Sequence, residues 1–194
     1  MELCSIARVT KRVCRPAILA RHCRHLVVPA SAPYPVYARG AWRSAAEASP
    51  SVTDAGFLRG FGIFDYLRIV DGNPIFLAEH LARFIRSADT MGISHGYSEG
   101  MLCDIVRELA SSARHSCLGV RLVLSGGVSA SGFEPTSQAE LFVLAAPFAF
   151  ADPARGASLL SRVYVRDQPD VKSLNYSFAL RSWPAVKAAG ADGS

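Results

Sequence analysis

The chain has 194 residues, half of them hydrophobic and 19% charged, which suits a folded domain or little more and excludes a disordered chain. The formal charge of +5 sits in residues 1–36, where Arg8, Lys11, Arg12, Arg15, Arg21 and Arg24 stand against one acid, Glu2. Residues 37–194 carry fifteen basic and fifteen acidic side chains, so the body has no cationic excess for nucleic acid, and no apolar run reaches membrane-helix length.

Residues 1–36 form a basic leader punctuated by Pro16, Pro29, Pro33 and Pro35. Its arginine-rich, acid-poor composition matches a mitochondrial or plastid transit peptide better than a secretory signal. Ile18-Leu19-Ala20 is too short for the apolar stretch of about 7–15 residues that a signal needs. A leader without a targeting role, on a cytoplasmic chain, is the other reading. The five cysteines include no CxxC pair, so neither a disulfide framework nor a zinc site is expected.

From Tyr37 to Trp42 the pattern predicts one short strand ending near Gly40, then a loop over 45–53. Asp54–Gly62 is a glycine-dense turn, but no Lys-Ser/Thr follows it and it is not a P-loop. Ile63–Val70 predicts a strand, Asp71-Gly72 a tight turn, and Pro74–Leu77 the returning strand of a hairpin. Ala78–Met91 predicts a helix with Leu81, Phe84, Ile85 and Ala88 on one face, ended by Gly92. Arg83 lies off that face, four residues after Glu79, the spacing of a solvated ion pair. A second helix is expected over Ser98–Ala113.

Strands are expected at Val120–Leu124 and Leu141–Ala146. The Gly/Ser-rich loop between them, 125–138, is of the kind that carries specificity. Residues 151–156 read as a linker and Ser158–Val165 as a strand. A final helix is expected over Tyr176–Ala189, with Asn175 as its N-cap and Pro184 inside. The fold class is mixed α/β. A first domain occupies 37–150, and 157–194 is the opening fragment of a second.

Between the last strand and helix lies Val171-Lys172-Ser173-Leu174-Asn175-Tyr176. The chain has only three lysines, Lys11, Lys172 and Lys187, and therefore 18 arginines among its 21 basic residues. Arginine stays charged, whereas a desolvated lysine can lose its proton and attack a carbonyl. Lys172 is thus a candidate nucleophile; a solvated lysine ahead of a helix is the ordinary reading of the same residue.

Asp54 to Arg68, Glu79-His80-Leu81-Ala82-Arg83-Phe84 with Ser87-Ala88, and Val171 to Tyr176 with Ala188 to Ala191 come in a familiar order and spacing. Over roughly 37–194 the chain resembles the class IV aminotransferases, the fold-type IV pyridoxal-phosphate enzymes. These include D-amino-acid and branched-chain aminotransferases and aminodeoxychorismate lyase. The resemblance implies a two-domain architecture, here a complete small domain and the start of the cofactor-binding large domain. It implies pyridoxal 5′-phosphate as cofactor, small amino acid and 2-oxo acid substrates, and a homodimer. Lys172 matches the lysine that carries the cofactor as a Schiff base and moves the substrate proton. Arg83 matches the arginine that binds the cofactor phosphate. Phe64 and Tyr66 fall on the strand that lines the substrate pocket, and Tyr176 follows the Lys-x-x-Asn motif where some members place a tyrosine near the cofactor.

The departures are specific. Arg59-Gly60-Phe61-Gly62 stands where the family commonly has Tyr-Gly-Asp-Gly, and Phe64-Asp65 where it has an aromatic-Glu pair. Ser125-Gly126-Gly127 stands where some members have a Thr-Arg-Gly run, so an arginine that can bind a substrate carboxylate is missing there; Arg59 is the candidate to take over that task. Relatives continue well beyond this length, through the glutamate that pairs with the pyridine nitrogen. A fragment with impaired catalysis is therefore expected. A lyase of the same fold and a non-catalytic dimerisation module are the alternatives.

Overall fold

The structure, a computed structural model, describes residues 6–8 and 34–193. Of the leader only β1 (Ile6–Arg8) and residues 34–36 are described, and the transit-peptide reading lies otherwise outside the described residues. Where one strand was expected at Tyr37–Trp42, two form: β2 (Val36–Ala38) and β3 (Ala41–Arg43). Arg39 and Gly40 take φ of 53° and 73°, the paired left-handed conformation whose twist matches a two-residue hairpin.

The glycine-dense stretch is a helical turn, α1 (Ala55–Arg59). Asp54 caps it, accepting from the Gly56 and Phe57 N–H groups at 2.7 and 3.2 Å, and Gly60 ends it at φ 68°. β4 (Gly62–Val70) then runs into the Asp71-Gly72 turn and β5 (Asn73–Pro74). The returning strand expected to reach Leu77 stops after two residues, because Phe76 at φ 51° turns the chain into α2 (Leu77–Thr90). α3 (Glu99–Ser111) follows, capped by Ser98, then β6 (Cys117–Ser125) and β7 (Leu141–Pro147).

β3, β2, β7, β6, β4 and β5 make one sheet in that order, and every pairing is antiparallel. β4 and β6 pair from Gly62–Ser125 to Val70–Cys117. Alternation along these strands puts Ile63, Leu67, Ile69, Leu118, Val120, Leu122 and Leu124 on one face. They are buried with Leu81, Phe84 and Ala88 of α2 and Leu102, Val106 and Leu109 of α3. The opposite face carries Phe64, Tyr66, Arg68, Gly119, Arg121 and Val123.

The described chain divides into two compact units. The sheet unit holds 34–148 together with 170–174, so the Lys172 segment is grouped with the sheet and not with the rest of 157–194. The other unit holds 149–169, 175–193 and β1. In it β1 pairs antiparallel with β8 (Ser158–Leu160), and Tyr164 stacks on Phe178 at 3.9 Å. The strand expected to run to Val165 ends at Leu160. α4 (Ser177–Ala188) is preceded by Tyr176, without a side-chain cap. Asn175, the expected cap, instead accepts from the Ser177 hydroxyl at 2.9 Å. Pro184 sits within α4. Among the described residues no helix is long and apolar enough to cross a membrane.

Candidate active site

β5 pairs with β4 only at Ile69 and Val70, which leaves the start of β4 open on the edge away from β6. Residues 172–174 occupy that edge. The Phe64 N–H donates to the Lys172 carbonyl at 2.8 Å and the Leu174 N–H donates to the Gly62 carbonyl at 2.9 Å, with Ser173 opposite Ile63. Gly62 permits this approach: a Cβ there would stand 2.6 Å from Leu174 Cδ1 and 2.7 Å from the Leu124 carbonyl. Val171 is buried in the core. The Lys172 N–H lies 3.5 Å from Ser87 Oγ on α2, so one helix and one strand edge together fix the lysine backbone.

Antiparallel pairing of Ser173 with Ile63 puts Lys172 across from Phe64 on the outer face of the sheet. The Lys172 Nζ accordingly sits 4.7 Å from the centre of the Phe64 ring. Tyr66, two residues on, shares this face. Its ring lies over Gly119, where a Cβ would come within 2.7 Å of Cζ, and its hydroxyl is buried with no hydrogen-bond partner. Burial pushes the Tyr66 phenol up, against the pull of Arg68 and Arg121.

Asp65 points to the other face, into the core, with its side chain 1% exposed. A buried carboxylate needs donors, and it has four. Arg83 Nε donates to Oδ2 at 2.8 Å and Nη2 to Oδ1 at 2.7 Å. The Tyr66 N–H donates at 2.6 Å, and His80 Nδ1 lies 2.9 Å from Oδ1. Burial opposes the Asp65 charge, yet the bonds from Arg83, His80 and the Tyr66 N–H outweigh it and hold the carboxyl below the usual range. The same pair of bonds raises Arg83 further above its ordinary value.

Of the residues singled out in the sequence, Lys172, Phe64, Tyr66 and Arg83 converge on β4 and α2. Ser87, which meets the Lys172 backbone, stands one helical turn beyond Arg83. Glu79 is not the partner of Arg83; Asp65 is. Arg59 lies at the end of α1, where its Nε donates to the Gly132 carbonyl at 3.1 Å and its guanidinium sits 4.7 Å over the Phe133 ring. It is thus tied to the 125–138 loop. Tyr176 falls in the other unit, where its ring lies 5.7 Å from the Arg166 guanidinium. Sequence reasoning did not single out Asp65 and His80, which meet Arg83 in the structure. Their signal was a charged residue at a buried register of an apolar strand face, and a histidine one turn before Arg83.

The family model for amino-transferase class IV matches residues 62–193, more than half of the chain and every candidate residue except Arg59. The chain belongs to the class IV aminotransferase family. It is 32% identical over 111 residues to the D-alanine aminotransferase of Staphylococcus haemolyticus, covering 57% of this chain and 39% of that protein. The structure of the branched-chain aminotransferase from the thermophilic archaeon Thermoproteus uzoniensis with norvaline superposes with a TM-score of 0.69 at 24% identity, covering 82% of this chain and 58% of that one. The structure named putative 4-amino-4-deoxychorismate lyase, from Legionella pneumophila, gives 0.64 at 26% identity over 74% of this chain and 55% of that one. The fold is that of the fold-type IV aminotransferases. This class IV chain spans between about two fifths and three fifths of the length of these relatives.

Proposed function

We propose that the chain carries pyridoxal 5′-phosphate on Lys172 and serves amino-group transfer between a small amino acid and a 2-oxo acid. The observation that carries this reading is the seating of Lys172 on the open edge of β4, with its amine over the Phe64 ring and its backbone held from α2. The residues present fit the group at two points. Lys172 supplies a primary amine for the cofactor aldehyde, and Arg83 supplies a planar cation for the phosphate.

When bound, the cofactor supplies the electron sink for bonds at the substrate Cα. The protein does the rest. Lys172 Nζ would hold the cofactor at its aldehyde carbon, with water as the leaving group, and would take and return a proton at the substrate Cα. Phe64 and Tyr66 shape the apolar floor beside that amine. Arg59, pinned over Phe133, is assigned to the substrate carboxylate in place of the missing Thr-Arg-Gly arginine. Tyr176 is assigned to the cofactor ring. Two copies are proposed to pair, as the resemblance implies.

The test is absorbance of the purified chain with added pyridoxal 5′-phosphate, beside Lys172→Ala. A visible band in the wild type alone, with the pyridoxyl mass mapped to Lys172 after borohydride reduction, supports the reading. A folded wild type with no band and no labelled peptide overturns it and leaves the non-catalytic module. The likeness to the Legionella lyase supports a second reading, elimination with release of pyruvate. Pyruvate formed without a 2-oxo acid acceptor would favour it.

A further inference from the structure

We propose that Asp65, with His80 behind it, is a positioning residue that turns Arg83 into a phosphate-selective clamp. This rests on the reading that the chain takes pyridoxal 5′-phosphate. A guanidinium has five N–H donors in one plane. Asp65 grips Arg83 from the side, using Nε and one N–H of Nη2. That leaves Nη1 and the second Nη2 hydrogen without a carboxylate acceptor among the described residues, on a side chain that is 41% exposed. The remaining edge is a second fork, matched to two oxygens of a tetrahedral anion.

A free arginine would have to order its long side chain each time it met an anion. Here the ordering is done by a carboxylate that cannot itself move. Asp65 sits mid-strand, and its oxygens are held by the Tyr66 N–H at 2.6 Å and by His80 Nδ1 at 2.9 Å. His80 Nδ1 also lies 3.1 Å from Arg83 Nη2, so the imidazole closes the inner side of the guanidinium. Arg83 is therefore aimed away from the core. Ser87, one turn further along α2, meets the Lys172 backbone, so the helix that carries Arg83 also holds the lysine segment. A tie that merely joined α2 to β4 would not require the carboxylate to leave one guanidinium edge clear.

The experiment compares the dissociation constants of pyridoxal 5′-phosphate and pyridoxal, which differ only in the phosphate, by equilibrium dialysis. The full chain is used as wild type, Asp65→Asn, Asp65→Glu and Arg83→Lys, each checked for folding by circular dichroism. The wild type is expected to prefer the phosphorylated form, and Asp65→Asn to lose about tenfold of that preference while keeping its affinity for pyridoxal. Asp65→Glu should restore part of it. Arg83→Lys keeps the ion pair but has no second fork, and should lose the preference even if Asp65→Asn does not fold. A wild-type preference that survives in folded Asp65→Asn or Arg83→Lys overturns the proposal, as does equal loss of both ligands in the folded variants. The same dialysis in Lys172→Ala separates the two readings. An Asp65-dependent phosphate preference without covalent labelling keeps the clamp and sinks the lysine reading; labelling without any preference does the reverse.

Discussion

The amine of Lys172 lies 4.7 Å from the centre of the Phe64 ring because the Phe64 N–H holds the Lys172 carbonyl at 2.8 Å. Backbone pairing and side-chain contact thus come from one register. An ammonium over an aromatic face gains about 0.5–1 kcal/mol at a partly exposed site. That contact favours the charged amine, which is not the nucleophile, so Phe64→Leu should speed covalent uptake of pyridoxal 5′-phosphate by about two- to fivefold, whereas Phe64→Tyr should leave it near the wild-type rate. Stopped-flow absorbance reads both.

Gly62→Ala tests the seating itself. The added methyl meets Leu174 Cδ1 at 2.6 Å and the Leu124 carbonyl at 2.7 Å, and the carbonyl belongs to a paired strand that cannot give way. The 172–174 segment should lift from β4 at a cost of about 1–3 kcal/mol. Hydrogen exchange at the Phe64 and Leu174 amides should rise, with the amides of Leu67 and Ile69 unchanged. Equal protection at all four would show that the segment is held some other way.

The Asp65–Arg83 pair sets an acid limit on stability. The folded pKa of Asp65 lies below its unfolded value. Its contribution is therefore present in full above the unfolded value of about 3.9 and is lost as pH falls through the folded value. Asp65→Asn should cost about 2–3 kcal/mol at pH 7, less than a fully buried pair because Arg83 is partly solvated. Below about pH 4 the two proteins should converge in urea unfolding. A constant gap down to pH 2 would contradict this.

Tyr66 carries a buried hydroxyl without a partner. Removing an unsatisfied group removes its desolvation cost, so Tyr66→Phe should raise stability by up to about 1 kcal/mol in thermal or urea unfolding. Gly119→Ala should do the opposite, since the Tyr66 ring occupies the space a Cβ needs. Tyr66→Leu should rescue Gly119→Ala by clearing that space.

Much of the sheet unit was legible in advance. The apolar run of β7, the apolar residues flanking Asp71-Gly72 after β4, and the helical spacing of Leu81, Phe84 and Ala88 gave those elements from local pattern alone. The misses have local causes. Arg39 and Phe76 adopt positive φ although neither is a residue type that signals it, so the β2–β3 hairpin and the early start of α2 were hidden. Asp54 was read as part of a glycine-dense turn because its capping role depends on where α1 begins.

For the site, the sequence by itself singled out the candidates: a rare lysine in a Lys-x-x-Asn motif, and an arginine in a Glu-His-x-x-Arg run. Those are matters of residue type and spacing, and they sufficed to indicate the family. What only the tertiary structure decided is how those residues are held. Lys172 docks on the edge of a strand that lies far upstream in the chain, and Arg83 turns to Asp65 rather than to its helical neighbour Glu79. Both depend on the register of β4 against distant segments. That register is fixed by burial of a whole sheet face and by backbone hydrogen bonds between residues far apart in the chain, and no local pattern encodes it.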